Sequence, residues 1–160
     1  MKKLMIAVAL LCATQAMAGD GQRVIGNWYV TSEADRFGDG GTFLAMTGSA
    51  GLGLAVRCIK KELSLALLDL SNDPKPLATG DVFALKLRTD KQPIREAFGK
   101  AISERLIQIP TDKDAVRSIR DGAETAVRIE TTRGVVTTNV FKTRGARQAF
   151  ADLVKECPLE

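Results

Sequence analysis

The chain has 160 residues, with 23 Lys and Arg against 19 Asp and Glu, and it contains no histidine. Lacking imidazole, it can form neither a Ser-His-Asp triad nor a Cys-His dyad, and it lacks the commonest zinc ligand. One Trp, one Tyr and six Phe beside a formal charge of +4 fall short of the clustered basic footprint with stacking aromatics that nucleic-acid binding requires.

Lys2 and Lys3 open the chain, Leu4 to Leu11 are apolar, and Ala16-Met17-Ala18 is a small-x-small cleavage site. This pattern predicts a signal peptide over residues 1–18, cut between Ala18 and Gly19. The apolar stretch runs for only about ten residues where a spanning helix needs about 20, so no membrane span is expected in the mature chain. Leu11 precedes Cys12 where a lipid-attachment site wants a small side chain, which argues against lipidation. The mature chain, residues 19–160, is expected to be a single domain in the periplasm or secreted, and the loss of Lys2 and Lys3 makes it only mildly basic. Removal of Cys12 leaves Cys58 and Cys157 as the only cysteines in a compartment that permits disulfides. They are expected to pair. A closed loop of about 100 residues is worth roughly 4.7 kcal/mol in the chain-entropy model. No C-x-x-C redox spacing is present, and two thiolates are too few for a zinc site, so neither a metal nor another cofactor is expected.

Along the mature chain, Val24 to Thr31 alternates around Trp28 and Val30 as a half-buried strand. Glu33 to Gly41 is polar and glycine-rich, a loop or tight turn. Thr42–Thr47 and Leu52–Cys58 read as a hairpin across residues 48–51, with Leu52, Leu54, Val56 and Cys58 on one face. Glu62–Leu70 is a further strand that ends in a proline-containing turn, and Asp81–Asp90 alternates with Phe83, Leu85 and Leu87 inward. Pro93–Ser103 is ambiguous: Ile94, Phe98 and Ile102 fit a short helix, while the glycine and the flanking strands suggest an irregular connection. Leu106–Ile109 is a strand closed by Pro110, and Thr111 is placed to cap a helix over Asp112–Arg120 that Gly122 stops. Ala126–Thr131 and Val135–Phe141 read as a hairpin, and Ala146–Glu156 as a final helix. The expected fold class is α+β, mostly antiparallel β, as a β-sandwich or a strongly bent sheet with a C-terminal helix packed on it.

Asp35 and Asp39 do not have the spacing of a calcium-hand loop, and Gly48 to Gly53 lacks the Gly-Lys-Ser/Thr of a phosphate loop. Strand parity turns Arg57, Lys86, Arg88 and Arg128 away from the apolar side. If their strands are neighbours, they form a basic stripe suited to a carboxylate or phosphate partner. Glu62, Asp90 and Glu130 are the acids expected to pair with them if the stripe is only solvated. Two carboxylates can hydrolyse glycosides without histidine, but no such pair stands out, so a non-enzymatic protein is expected.

The residues Trp28-Tyr29-Val30, Leu54-Ala55-Val56-Arg57-Cys58, Leu87-Arg88-Thr89-Asp90 and Phe141, Gly145-Ala146, Ala149-Phe150 and Cys157 together resemble a family of small exported bacterial proteins that includes the VasI-like accessory proteins of type VI secretion. The resemblance implies an exported envelope or secretion-accessory protein that acts by binding a protein or an anionic envelope component. The alternative expectation is a periplasmic hydrolase, or an inhibitor, acting on cell-wall polymer.

Overall fold

The computed structural model describes residues 21–33, 40–71, 77–130, 134 and 136–160. The predicted signal segment with Ala18 and Gly19, and the loop carrying Asp35 and Asp39, lie outside the described residues. The strands are β1 (Arg23–Ile25), β2 (Trp28–Glu33), β3 (Thr42–Ser49), β4 (Leu52–Ile59), β5 (Glu62–Asp69), β6 (Val82–Thr89), β7 (Arg95–Ser103), β8 (Leu106–Pro110), β9 (Glu124–Glu130) and β10 (Val136–Lys142). Helices are α1 (Lys113–Asp121), α2 (Ala146–Ala149) and α3 (Leu153–Glu156). All ten strands belong to one sheet, in the order β1-β2-β3-β4-β5-β8-β7-β6-β9-β10, and each neighbouring pair is antiparallel. The fold is therefore β-rich with a few short helices, and of the two expected architectures it has one sheet instead of two stacked ones.

Several elements depart from the sequence reading. The strand expected over Val24–Thr31 is two, because Gly26 takes a φ of 57° and reverses the chain so that Ile25 faces Trp28. The ambiguous segment is strand β7, not a helix. Its inward positions are the small Ala97, Gly99 and Ala101, because the large side chains of its neighbours already fill that space. A Cβ on Gly99 would lie 2.5 Å from Ile107 Cγ2 and 2.8 Å from Leu85 Cδ1. The helix cap is Asp112 in place of Thr111, its carboxylate accepting the Ala115 N–H at 2.6 Å. The final helix is broken between Phe150 and Asp152 into two four-residue pieces.

Alternation places Trp28, Val30, Leu54, Val56, Leu65, Leu67, Leu85, Leu87, Ile109 and Val127 on the inner face, where all are buried. The registers agree from strand to strand: Thr47 faces Leu54, Leu54 faces Leu67, and Leu67 faces Ile107. Val116 and Ile119 of α1 and Ala146, Ala149, Phe150 and Leu153 of the terminal segment belong to the same core. The sheet coils far enough for β10 to approach β3. Thr47 Oγ1 donates to the Lys142 carbonyl at 3.3 Å, and the fully buried Trp28 indole N–H donates to the Thr143 carbonyl at 3.3 Å. A buried indole needs such an acceptor, since an unmade hydrogen bond costs more than a made one gains. Phe150 meets Trp28 edge to face, with ring centroids 5.0 Å apart. Cys58, on the inner face of β4, is bonded to Cys157 at the end of α3, with Cα atoms 6.0 Å apart.

Candidate functional site

The outer face of the second half of the sheet collects the residues most suited to contact. In one row across it, Glu96 of β7 faces Lys86 of β6 and Lys86 faces Arg128 of β9. Thr138 of β10 continues this row. One step along, Arg88 faces Ala126, which faces Val140. Lys86 and Arg128 are thus cross-strand neighbours, and the single carboxylate on Lys86 is Glu96, at 3.1 Å. Among the described residues the acids expected to neutralise the stripe form no ion pair with it, although Glu130 stands two residues along β9 from Arg128 on the same face. Asp90 is used on the backbone, accepting the N–H groups of Ala123 and Glu124 at 3.1–3.2 Å. Among the described residues Arg88 and Arg128 form no ion pair.

Apolar side chains flank this basic row on both sides. Phe98 is 70% exposed and faces Ala84; Val82 is 51% exposed one step away on β6. On the far side Val136 and Val140 of β10 are also exposed, and Ile94 and Ile102 lie at the two ends of β7. Glu130 and Thr138 separate these groups on β9 and β10; burying exposed apolar surface is favourable, and apolar groups rimmed by polar ones mark interaction sites.

Arg57 does not belong to this group, and its expected place in the stripe is corrected by the topology. Three strands, β5, β8 and β7, lie between β4 and β6, so at about 4.8 Å per strand the two positions are roughly 19 Å apart. Parity correctly puts Arg57 on the outer face, yet that face is covered around β4, where Gly53, Ala55 and Arg57 are all buried. Arg57 is 9% exposed. Its Nε and Nη2 both donate to Ser64 Oγ at 3.3 Å, it has no carboxylate partner among the described residues, and burial pulls its pKa down. Of the four expected stripe residues, the structure unites Lys86, Arg88 and Arg128.

Among the described residues, the carboxylates whose titration is perturbed are held below the ordinary range by donors. The Ser71 hydroxyl and N–H do this to Asp69, Lys155 and then Arg23 to Asp152, and the Arg120 fork, with Arg147, to Asp121. A cleft of about 470 Å³ lies between the inner face and the start of α1, with Leu65, Leu87 and Ile109 as its floor and the Arg95–Asp112 ion pair, at 3.2 Å, on its rim. Among the described residues no group of three or more Cys, Asp or Glu could hold a metal ion, and no helix is long and apolar enough to cross a membrane.

No protein-family model and no curated protein matches the chain in sequence, and no type VI secretion family is shown. In fold the chain is similar to invasion associated protein B from Bartonella henselae, whose crystal structure aligns with a TM-score of 0.58 at 13% identity over 84% of this chain and 96% of that one. At that identity the likeness is one of fold, a β-rich domain common to both.

Proposed function

We propose that this protein is an exported, disulfide-bonded domain that acts by binding, with the outer face of β7-β6-β9-β10 as its contact surface and an acidic protein as its partner. The observation that carries this reading is the juxtaposition of Lys86, Arg88 and Arg128 with the exposed Phe98, Val82, Val136 and Val140. Apolar anchors supply the buried area of an interface, while basic groups select an acidic counterpart and speed encounter. A secretion-accessory role, in keeping with the type VI resemblance, fits a protein of this kind. The fold shared with an invasion associated protein agrees with a secreted accessory protein, as does the disulfide, a bond that persists in oxidising compartments. Binding is favoured over cell-wall hydrolysis because the perturbed carboxylates among the described residues are depressed, whereas a general acid needs its pKa raised.

The test is site-specific photo-crosslinking in the envelope of the native host, with a benzophenone side chain at position 98. A single discrete protein adduct is expected, lost when Lys86 and Arg128 are both changed to Glu. A control probe at the exposed Glu62, at the start of β5 and away from this surface, should give none. An adduct indifferent to the charge reversal, or none at all, would sink the proposal; turnover of purified peptidoglycan by the mature protein would establish the hydrolase instead.

A further inference from the structure

A different surface carries a second kind of recognition. Where the end of α1 meets the start of α2, a cavity of about 270 Å³ is lined by Arg120, Arg144 and Arg147 together with Asp121, Gly122 and Ala123. We propose that this cavity is a binding site for a phosphoryl group, most fittingly a phosphate monoester. The site is separate from the outer-face patch, and its existence does not depend on the role given to that patch.

The arginines are arranged by a single acid. Arg120 grips Asp121 with a two-pronged fork, Nε to Oδ1 at 2.9 Å and Nη2 to Oδ2 at 2.8 Å. Arg147 Nη2 reaches the same Oδ1 at 2.9 Å. Asp121 thus fixes two guanidinium groups in place and neutralises one of them. Arg144 has no hydrogen-bond or ion-pair partner for its side chain among the described residues. The other acids nearby are engaged or distant: Asp90 holds the N–H groups of Ala123 and Glu124, Glu124 pairs with Lys142 at 3.0 Å, and Glu160 acts on Arg120 only through space. Three guanidinium groups against one carboxylate leave two positive charges at the cavity. A phosphate monoester carries about −1.5 to −2 at neutral pH and would match them, whereas a lone carboxylate would leave one charge uncompensated.

Shape points the same way. Guanidinium forks bind phosphate oxygens in pairs, with a geometry that lysine lacks. Gly122 in the wall packs tightly behind the cavity, since a Cβ there would lie 2.2 Å from Thr89 Cγ2 and 3.0 Å from the Ser118 carbonyl oxygen. The volume is below the roughly 300–1,000 Å³ of pockets that enclose whole small molecules. It suits one anionic group whose carrier extends into solvent. Such a phosphoryl group could be free phosphate or the head of a larger envelope molecule, and the measurement must separate these sources.

The test uses the oxidised full mature chain. Isothermal titration with inorganic phosphate at low ionic strength covers the free anion. Flotation with phosphatidylcholine vesicles doped with phosphatidic acid, a monoester, or phosphatidylglycerol, a diester, covers the carried form. Saturable binding to phosphate or a preference for phosphatidic acid vesicles is expected, weakened at least about tenfold by Arg144→Gln and by Arg147→Gln. Lys61→Gln, on the β4–β5 turn, should change neither. Binding of phosphate identifies the free anion as sufficient, and binding of phosphatidic acid vesicles alone shows that the carrier contributes. Arg144 is exposed and unpaired, so its variant should unfold at the wild-type temperature, which separates lost binding from lost structure. Absence of binding to both probes, or binding undiminished in both arginine variants, would overturn the assignment.

Discussion

Replacing both Cys58 and Cys157 with Ala should lower the stability of the domain by about 4–6 kcal/mol. The bond spans 99 residues, and for a closed loop of that size the chain-entropy model gives about 4.7 kcal/mol of destabilisation once the unfolded chain is freed. Cys58 is fully buried and Cys157 nearly so, so each lost sulfur also removes apolar contact worth under about 1 kcal/mol. The loss is a large share of the 5–15 kcal/mol typical of a domain. The expected consequence is a protein that still folds in dilute buffer but unfolds at much lower urea. Urea titration followed by Trp28 fluorescence measures it, and this tryptophan is well placed because Phe150 of the terminal segment packs against it. Far-UV circular dichroism reports the sheet in the same titration. Coincident curves mean that loss of the bond weakens the whole domain. If fluorescence changes first, residues 146–160 detach before the sheet melts, as befits two helical pieces too short to persist alone. A double variant within about 1 kcal/mol of the oxidised protein would refute the reasoning, since burial alone would then be holding that segment.

Gly99→Val should destabilise by about 1–3 kcal/mol or more, because its side chain would enter space held by Ile107 and Leu85; the thermal midpoint measures this, and an unchanged value would show that the core yields there. Arg57→Met should leave stability within about 1 kcal/mol of wild type or raise it, since it removes a buried charge with no carboxylate partner among the described residues, while Arg57→Asp should cost more than about 3 kcal/mol; equal urea midpoints for the two would place Arg57 in solvent. Asp121, with its pKa lowered from the usual 3.8 to about 2, binds its proton more readily in the unfolded chain, so its contribution is present above about pH 4 and is lost as pH falls through about 2. Because the pair is partly solvated, the effect should be no more than about 1 kcal/mol. Asp121→Asn should flatten the acid limb of a stability-against-pH curve; an identical limb would refute the depressed pKa.

Strand β6 could be read residue by residue, because Phe83, Leu85 and Leu87 alternate with polar positions and a half-buried strand has that period. Strand β7 could not. Ile94, Phe98 and Ile102 are four apart, a spacing that fits one helical face and, being a multiple of two, equally fits one face of a strand. The usual rule that large apolar residues point inward fails there, because its small residues point inward and its largest point out. For Arg57 parity gave the correct side but not the neighbourhood, since the order of strands depends on the long-range β5–β8 and β6–β9 pairings that local patterns do not encode. The Arg120, Arg144 and Arg147 cluster was hidden for the same reason. Its members come from the end of α1, the turn before α2 and α2 itself, brought together only by the fold, and nothing in the spacing of residues 120 to 147 announces their meeting.

The sheet order divides the chain in time as well as in space. β1 to β5 are successive hairpins, and β6, β7 and β8 form another run of near neighbours, so each group can assemble from contacts close in sequence. The two groups meet at a seam of five facing pairs, Ser64–Leu68 of β5 against Leu106–Pro110 of β8. This seam and the β6–β9 pairing, with six facing pairs from Ala84–Thr89 against Thr125–Glu130, both require the chain to close a long loop before any hydrogen bond is gained, and such closures slow β proteins. Folding should therefore wait on the docking of the two meanders and the β9–β10 hairpin, with the backbone amides of the β5–β8 and β6–β9 seams the last to gain protection from hydrogen exchange.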